Sequence, residues 1–293
     1  MLLAVLCSHS LAAPNNQLLR RLDIQRGLFS DTYQSFDVDG QPIIYILQEN
    51  TTPITRGLAI LVADSGTPLV GQEGFSALAG ELNKVGWVTI LLPAPDIGFI
   101  PTFTQDDTTK NDEKTAVDEG SDNTTEKQIP NALTADLDIS QSAVTTIDEL
   151  AFAEHEQQLI FLLQAVIEKS QQYPGFLLVI SKGTSAAWLS KIYAQKTLDA
   201  PDAFVAISPF WPDRKRNKRL PQWIADTSMP VLDLHSSQDN GWSQKTVARR
   251  QVAAVKSLKL QYRQRELLGF NKYLQYNAYL SKEIYGWLSH MGW

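Results

Sequence analysis

The sequence predicts an α/β fold, a mostly parallel sheet of about eight strands with helices on both faces and an N-terminal hairpin. Three observations carry that expectation. Short apolar runs alternate with longer segments of helical spacing, two β-rich runs flank Asp39-Gly40, and an acidic stretch over residues 101–147 interrupts the alternation.

The elements follow in chain order. Tyr33–Val38 and Pro42–Gln48 enclose Asp39-Gly40, and Asp-Gly between two such runs is a strong hairpin signal. Gly57–Val62 is apolar throughout and stops at Asp64-Ser65-Gly66, as a buried strand and its turn would. Phe75–Val85 places Phe75, Leu78, Leu82 and Val85 at helical spacing and ends at Gly86, a natural helix stop. Trp87–Leu92 is the next strand, closed by Pro93 and Pro95. A long helix is expected over Glu149–Ser170, then a buried strand over Phe176–Ile180 that runs into a helix over Ser185–Lys196. Ala203–Ile207, Val231–His235 and Leu260–Leu267 read as strands, Ser243–Ser257 and Asn277–Leu288 as helices, and Arg214–Arg219 as a basic loop. No repeat is visible, which argues against a solenoid or propeller. Residues 27–293 are therefore expected to form one domain, long enough to bury a large core.

Charge is unevenly spread. Residues 101–150 hold twelve Asp/Glu against Lys110, Lys114 and Lys127, a net −9 within a chain whose total is −6, so the remainder carries +3. Such a stretch has too little apolar surface to offset its ordering entropy, and residues 101–147 read as a disordered insertion. Residues 1–13 read as a signal peptide cleaved near Ala12 or Ala13, which implies the periplasm; its missing basic start implies initiation further upstream. Cys7 is the only cysteine, and cleavage would remove it together with any disulfide or thiolate chemistry. Leu6 stands before it where a lipoprotein signal wants a small residue. No apolar run reaches the roughly 18–20 residues that span a bilayer. An exported chain of pI 5.3 is a poor nucleic-acid binder.

In such sheets function gathers at the carboxyl ends of the strands. Ser181-Lys182-Gly183-Thr184-Ser185 has the outline of a nucleophile elbow, small-x-nucleophile-x-small, with Gly183 in the nucleophile slot. Glycine has no side chain with which to attack a carbonyl. A second register, Gly183 to Ala187, extends the strand through Lys182, starts the helix two residues later and puts Ser185 at the apex, which would make the chain a cryptic esterase or acyl hydrolase. Asp239, after the strand Val231–His235, stands where the triad acid is delivered, although an Asp there also suits a loop cap. The loop expected to hold the base, Leu268–Lys272, contains Asn271 and no histidine. The four histidines are His9, His155, His235 and His290, none of them in that loop, and a serine without a general base is a poor nucleophile.

Oxyanion donors are backbone groups and survive such losses. Asp64, Ser65, Gly66, Lys182 and Thr184, whose amide would be one donor, form the expected binding set for an anion or carbonyl. Gly-x-Gly-x-x-Gly and the phosphate-binding loop are absent and no histidine spacing suits zinc, so neither cofactor nor metal is expected. Arg214–Arg219, near Trp211 and Trp223, reads as a solvated run or as the contact for an anionic ligand, a membrane surface or the acidic segment.

Leu78–Pro93 with its Gly86-Trp87-x-Thr89 step, Pro230–Leu234 with Asp239, and Tyr262-Arg263-Gln264 followed by Gly286-Trp287-Leu288 resemble a gammaproteobacterial family of unknown function. The resemblance covers most of residues 55–288 outside the acidic segment. It implies a periplasmic, α/β-hydrolase-like fold with a degenerate triad, and it supplies no reaction. That family usually has small-His-Gly-x-Gly at the elbow, which supports Gly183 in the nucleophile slot; Ser181, Lys182 and Ser185 depart from the pattern. The resulting expectation is a non-hydrolytic protein whose degenerate cleft serves binding or scaffolding.

Overall fold

The computed structural model describes residues 22, 33–38, 41–69, 74–95, 149–267 and 273–293. The expected signal segment 1–13, Asp39-Gly40, the acidic segment 101–147 and Asn271 lie outside the described residues. Eight strands form one sheet: β1 (Gln34–Val38), β2 (Gln41–Gln48), β3 (Gly57–Val62), β4 (Trp87–Leu92), β5 (Phe176–Lys182), β6 (Ala203–Ile207), β7 (Val231–His235) and β8 (Tyr262–Glu266). Their spatial order is β1-β2-β4-β3-β5-β6-β7-β8. The hairpin β1–β2 is antiparallel and joins β4 antiparallel, and the other pairings are parallel. This is the α/β-hydrolase-like arrangement.

The helices are α1 (Ser76–Asn83), α2 (Glu149–Ser170), α3 (Gly183–Ala194), α4 (Arg214–Asp226), α5 (Gly241–Gln244), α6 (Val247–Lys256) and α7 (Tyr273–His290). Central strands are apolar on both sides because both faces are covered. Along β3, Leu58, Ile60 and Val62 enter the core beneath α2, α3 and α4, while Ala59 and Leu61 enter the one beneath α1 and α7. The period of two thus divides each strand between two cores.

Three expectations need correction. Arg214–Arg219 is the first part of a helix, α4, and not a loop. Asp213 caps it by accepting the Arg216 amide at 2.9 Å, and Leu220, Trp223 and Ile224 supply the buried side. The helix after the elbow begins at Gly183, two residues before the expected Ser185, and β5 extends through Lys182. The expected helix Ser243–Ser257 is two pieces, α5 and α6, with Asn240 accepting the Ser243 amide to start the first.

Strand order singles out one junction. From β3 the chain crosses to β4 on one side, and β5 returns on the other side of β3. At such a reversal the following loops part and leave room for a ligand at the carboxyl ends. Val62 of β3 pairs with Ser181 of β5, so Asp64 and Gly183 emerge side by side there.

Candidate functional site

Gly183 takes φ +60, the left-handed conformation that the sharp strand-to-helix turn demands and that glycine adopts without steric cost. A Cβ built on it would lie 2.1 Å from Asp64 Oδ2, 2.4 Å from Asp64 Cγ and 2.6 Å from Oδ1. The carboxyl group of Asp64 therefore fills the space into which a nucleophile's side chain would project. It is held there from the start of α3: the Thr184 amide donates to Asp64 Oδ1 at 2.8 Å and the Thr184 hydroxyl to the same oxygen at 2.6 Å.

This bond corrects the expectation for the Thr184 amide. In a working elbow the amide after the nucleophile faces the oxyanion; here it already carries a carboxyl oxygen. Lys182, the residue before α3, offers no side-chain cap, and Asp64 caps the helix from another strand. The position suits a negative group, because unpaired amides and the helix dipole converge on it. Burial nonetheless pushes the Asp64 carboxyl above its ordinary range, against the Thr184 hydrogen bonds and the Lys182 charge that pull it down.

The surroundings of this contact are partly polar. The Asp64 carbonyl accepts the Thr67 amide at 3.0 Å and closes the turn through Ser65 and Gly66. The Ser65 hydroxyl oxygen is buried with no hydrogen-bond partner among the described residues. Phe210 donates its amide to the Gly183 carbonyl at 3.3 Å, so the loop that leads into α4 abuts the elbow.

Ser185 is the third residue of α3, fully buried, and its hydroxyl oxygen has no hydrogen-bond partner among the described residues. Asp239 follows β7, but its Oδ2 accepts the Ser236 amide at 2.9 Å and its own amide returns to the Ser236 carbonyl at 3.1 Å. Its carboxylate is tied into its own loop, and no described histidine bonds to it. His235 ends β7 with Nδ1 buried and unpartnered among the described residues. His155 packs on Trp188 within α2–α3 at a ring distance of 4.1 Å, and His290 is exposed at the end of α7. Among the described residues no cluster of three or more His, Cys, Asp or Glu is placed to hold a metal ion.

The basic run divides by role. Arg216 pairs with Asp213 at 2.6 Å and Glu149 at 2.9 Å and lies over the Phe152 ring at 4.2 Å. Arg219 covers Trp223 at 4.9 Å. Arg214, Lys215 and Lys218 are exposed.

The contact that sequence reasoning missed is that of the Asp64 side chain, which was expected to contribute only backbone to the site. Its one sequence signal is an acid two residues beyond a wholly apolar strand.

Solved structures share the architecture. Est1E from Butyrivibrio proteoclasticus has 12% identity and a TM-score of 0.54, covering 88% of this chain and 99% of its own. A soluble variant of monoglyceride lipase from Saccharomyces cerevisiae has 12% identity and a TM-score of 0.51, over 87% and 94% of the two chains. An alpha-beta serine hydrolase homologue from Coxiella burnetii has 11% identity and a TM-score of 0.50, over 88% and 96%. At these identities the likeness is one of fold. None of the curated proteins matches the chain. The family described as protein of unknown function (DUF3530) matches residues 8–290, nearly the whole length, and the chain belongs to that family.

Proposed function

We propose that this chain is an exported, periplasmic protein that no longer hydrolyses esters and uses the crevice between β3 and β5 for binding or scaffolding. One observation carries the reading: the Asp64 carboxyl group stands in the nucleophile's space at Gly183 and holds the Thr184 amide. An acyl group entering the crevice would find no serine or cysteine side chain at the elbow apex and no free donor from that amide. The absence of histidine from Leu268–Lys272 removes the usual base as well. Export rests on the apolar leader ending at Ser10-Leu11-Ala12.

The competing reading is an esterase with Ser185 as nucleophile, and it draws on two of the similar folds, a monoglyceride lipase and an alpha-beta serine hydrolase homologue. Its difficulty is that a fully buried hydroxyl on the third residue of a helix does not face an incoming substrate. Incubating the wild-type protein with a fluorophosphonate probe and with short acyl esters separates the two. No labelling and no turnover is expected. Labelling that disappears in Ser185→Ala would establish the esterase.

A further inference from the structure

The crevice is one feature; the α4–α6 face, on the β8 side of the sheet, is another. Helix α6 turns Arg250 and Ala254 inward and leaves Val252 and Val255 outward, 50% and 63% exposed. The apolar stripe continues past the helix end through Leu258 and Leu260, 80% and 94% exposed. Four of the nine exposed large hydrophobic residues among the described ones thus fall within nine consecutive positions. Scattered single exposures are ordinary on a protein surface, whereas a contiguous apolar patch marks a contact.

The charge of the same stretch has one sign. From Gly241 to Arg265 there is no Asp or Glu, and seven Lys or Arg. Arg250 is internally paired, Arg265 lies 3.9 Å from Glu283, and Lys259 donates to the carbonyls of Thr227 and Met229. Lys245, Arg249 and Lys256 remain exposed beside the stripe. Helix α4 packs against α6 and adds Arg214, Lys215, Lys218 and Arg219, all but the last turned to solvent with no ring contact. The one exposed acid of α4, Asp226, lies at its carboxyl end, where it accepts from Gln222 and its charge is felt by Lys259 of the stripe, so one acid borders the basic face.

Leu258 also carries a backbone penalty. It takes φ +51 at the end of α6, where glycine is the usual residue. The conformation lets Leu258 and Lys259 donate their amides to the carbonyls of Val255 and Ala254 at 3.1 and 3.0 Å and close the helix, but a leucine there meets a steric cost and a hydration cost together.

We infer that this face docks on an anionic lipid surface. Val252, Val255, Leu258 and Leu260 enter the boundary between headgroups and acyl chains, and the exposed Lys and Arg meet the headgroup phosphates. Charge complementarity chooses the lipid surface over an apolar partner. A protein groove for this stripe would have to supply acids along both of its sides, whereas a phosphate-rich plane supplies them everywhere. No described helix is long and apolar enough to cross a membrane, so the mode is peripheral.

The experiment is co-sedimentation of the full chain with phosphatidylcholine vesicles, with and without phosphatidylglycerol. Binding is expected only with phosphatidylglycerol, and it should weaken as salt shortens the screening length from about 8 Å at physiological strength to about 3 Å at 1 M. Two variants at exposed positions, Val255→Ser/Leu260→Ser and Arg249→Glu/Lys256→Glu, should each reduce partitioning about ten-fold while melting like the wild type. The inference is overturned if phosphatidylglycerol makes no difference, or if either variant binds as the wild type does. It is equally overturned if binding appears only after residues 101–147 are deleted, which would assign the face to the acidic segment. A concentration-dependent dimer dissolved by the same variants would assign it to a second copy of the chain. None of these outcomes depends on whether the crevice hydrolyses esters.

Discussion

Asp64 and Gly183 share one site: the Asp64 Oδ2 atom lies 2.1 Å from the point where a Cβ on Gly183 would stand. An acid just beyond β3 and the glycine that opens α3 after β5 are therefore mutually dependent. The carboxyl group needs the missing side chain, and the left-handed backbone at φ +60 needs the glycine. In return Asp64 satisfies the amide of Thr184, the second residue of α3.

Restoring a nucleophile should therefore damage the fold before it creates an enzyme. Gly183→Ser adds a Cβ to left-handed backbone and drives it into a short carboxyl side chain. A loss of about 2–4 kcal/mol in urea-unfolding stability is expected. Asp64→Gly/Gly183→Ser should recover part of it, giving a coupling of about 1 kcal/mol or more between the positions. Strictly additive single and double variants would show that the two residues do not share space. Neither variant is expected to react with a fluorophosphonate, because no base accompanies the serine.

The Asp64 carboxyl has a second consequence, in pH. Burial raises its folded pKa above the unfolded value of about 3.9, so the native state binds the proton more tightly. Its contribution to stability is present below the unfolded pKa and is lost as pH rises through the folded pKa. Asp64→Asn keeps an oxygen for Thr184 and has no charge to bury. Its melting temperature relative to wild type should be least favourable below the unfolded pKa of about 3.9 and should rise from there towards neutral pH. A difference that does not change with pH would show that Asp64 is not desolvated.

Asp233 and Arg250 form an ion pair with both side chains 0% exposed. Tyr262 donates to Asp233 at 2.6 Å, Gln264 at 2.9 Å, and Arg250 also donates to Thr246 at 2.6 Å. Burial, with the Asp233 charge second, drives the Tyr262 hydroxyl far above its ordinary range, so it stays a donor at every working pH. Arg250→Ala leaves an uncompensated buried carboxylate and should cost about 3–5 kcal/mol in equilibrium unfolding. Asp233→Leu/Arg250→Met should cost less than that single change. If it costs more, the pair is a net stabiliser in its own right.

Leu258→Gly tests the strained end of α6. Removing a Cβ from backbone at φ +51 should stabilise the chain by about 1 kcal/mol in urea unfolding. The same change removes an exposed leucine, so vesicle binding should fall while stability rises. Stability unchanged or lowered would mean that Leu258 packs against something in the free protein.

The sequence by itself determined the frame. Gly57–Val62, Trp87–Leu92, Ala203–Ile207 and Val231–His235 are strands with the bounds their runs imply, since strands covered on both faces are mostly apolar along their length and stop where turn residues begin. The same reasoning located the turn at Gly183, because small residues must flank a sharp strand-to-helix junction. Arg214–Arg219 hid the start of α4, because its first strongly apolar residue is Leu220 and a helical period cannot be read before the apolar side begins. Tertiary structure decided what polarity alone misplaces. On α6, side-chain preference would put Val252 inside and Arg250 outside, and the fold does the reverse because Asp233 waits in β7 for the guanidinium. Asp64 meets Gly183 for the same kind of reason. The two residues are 119 positions apart in sequence, and only the parallel pairing of β3 with β5 brings the carboxyl group to the place the side chain left empty.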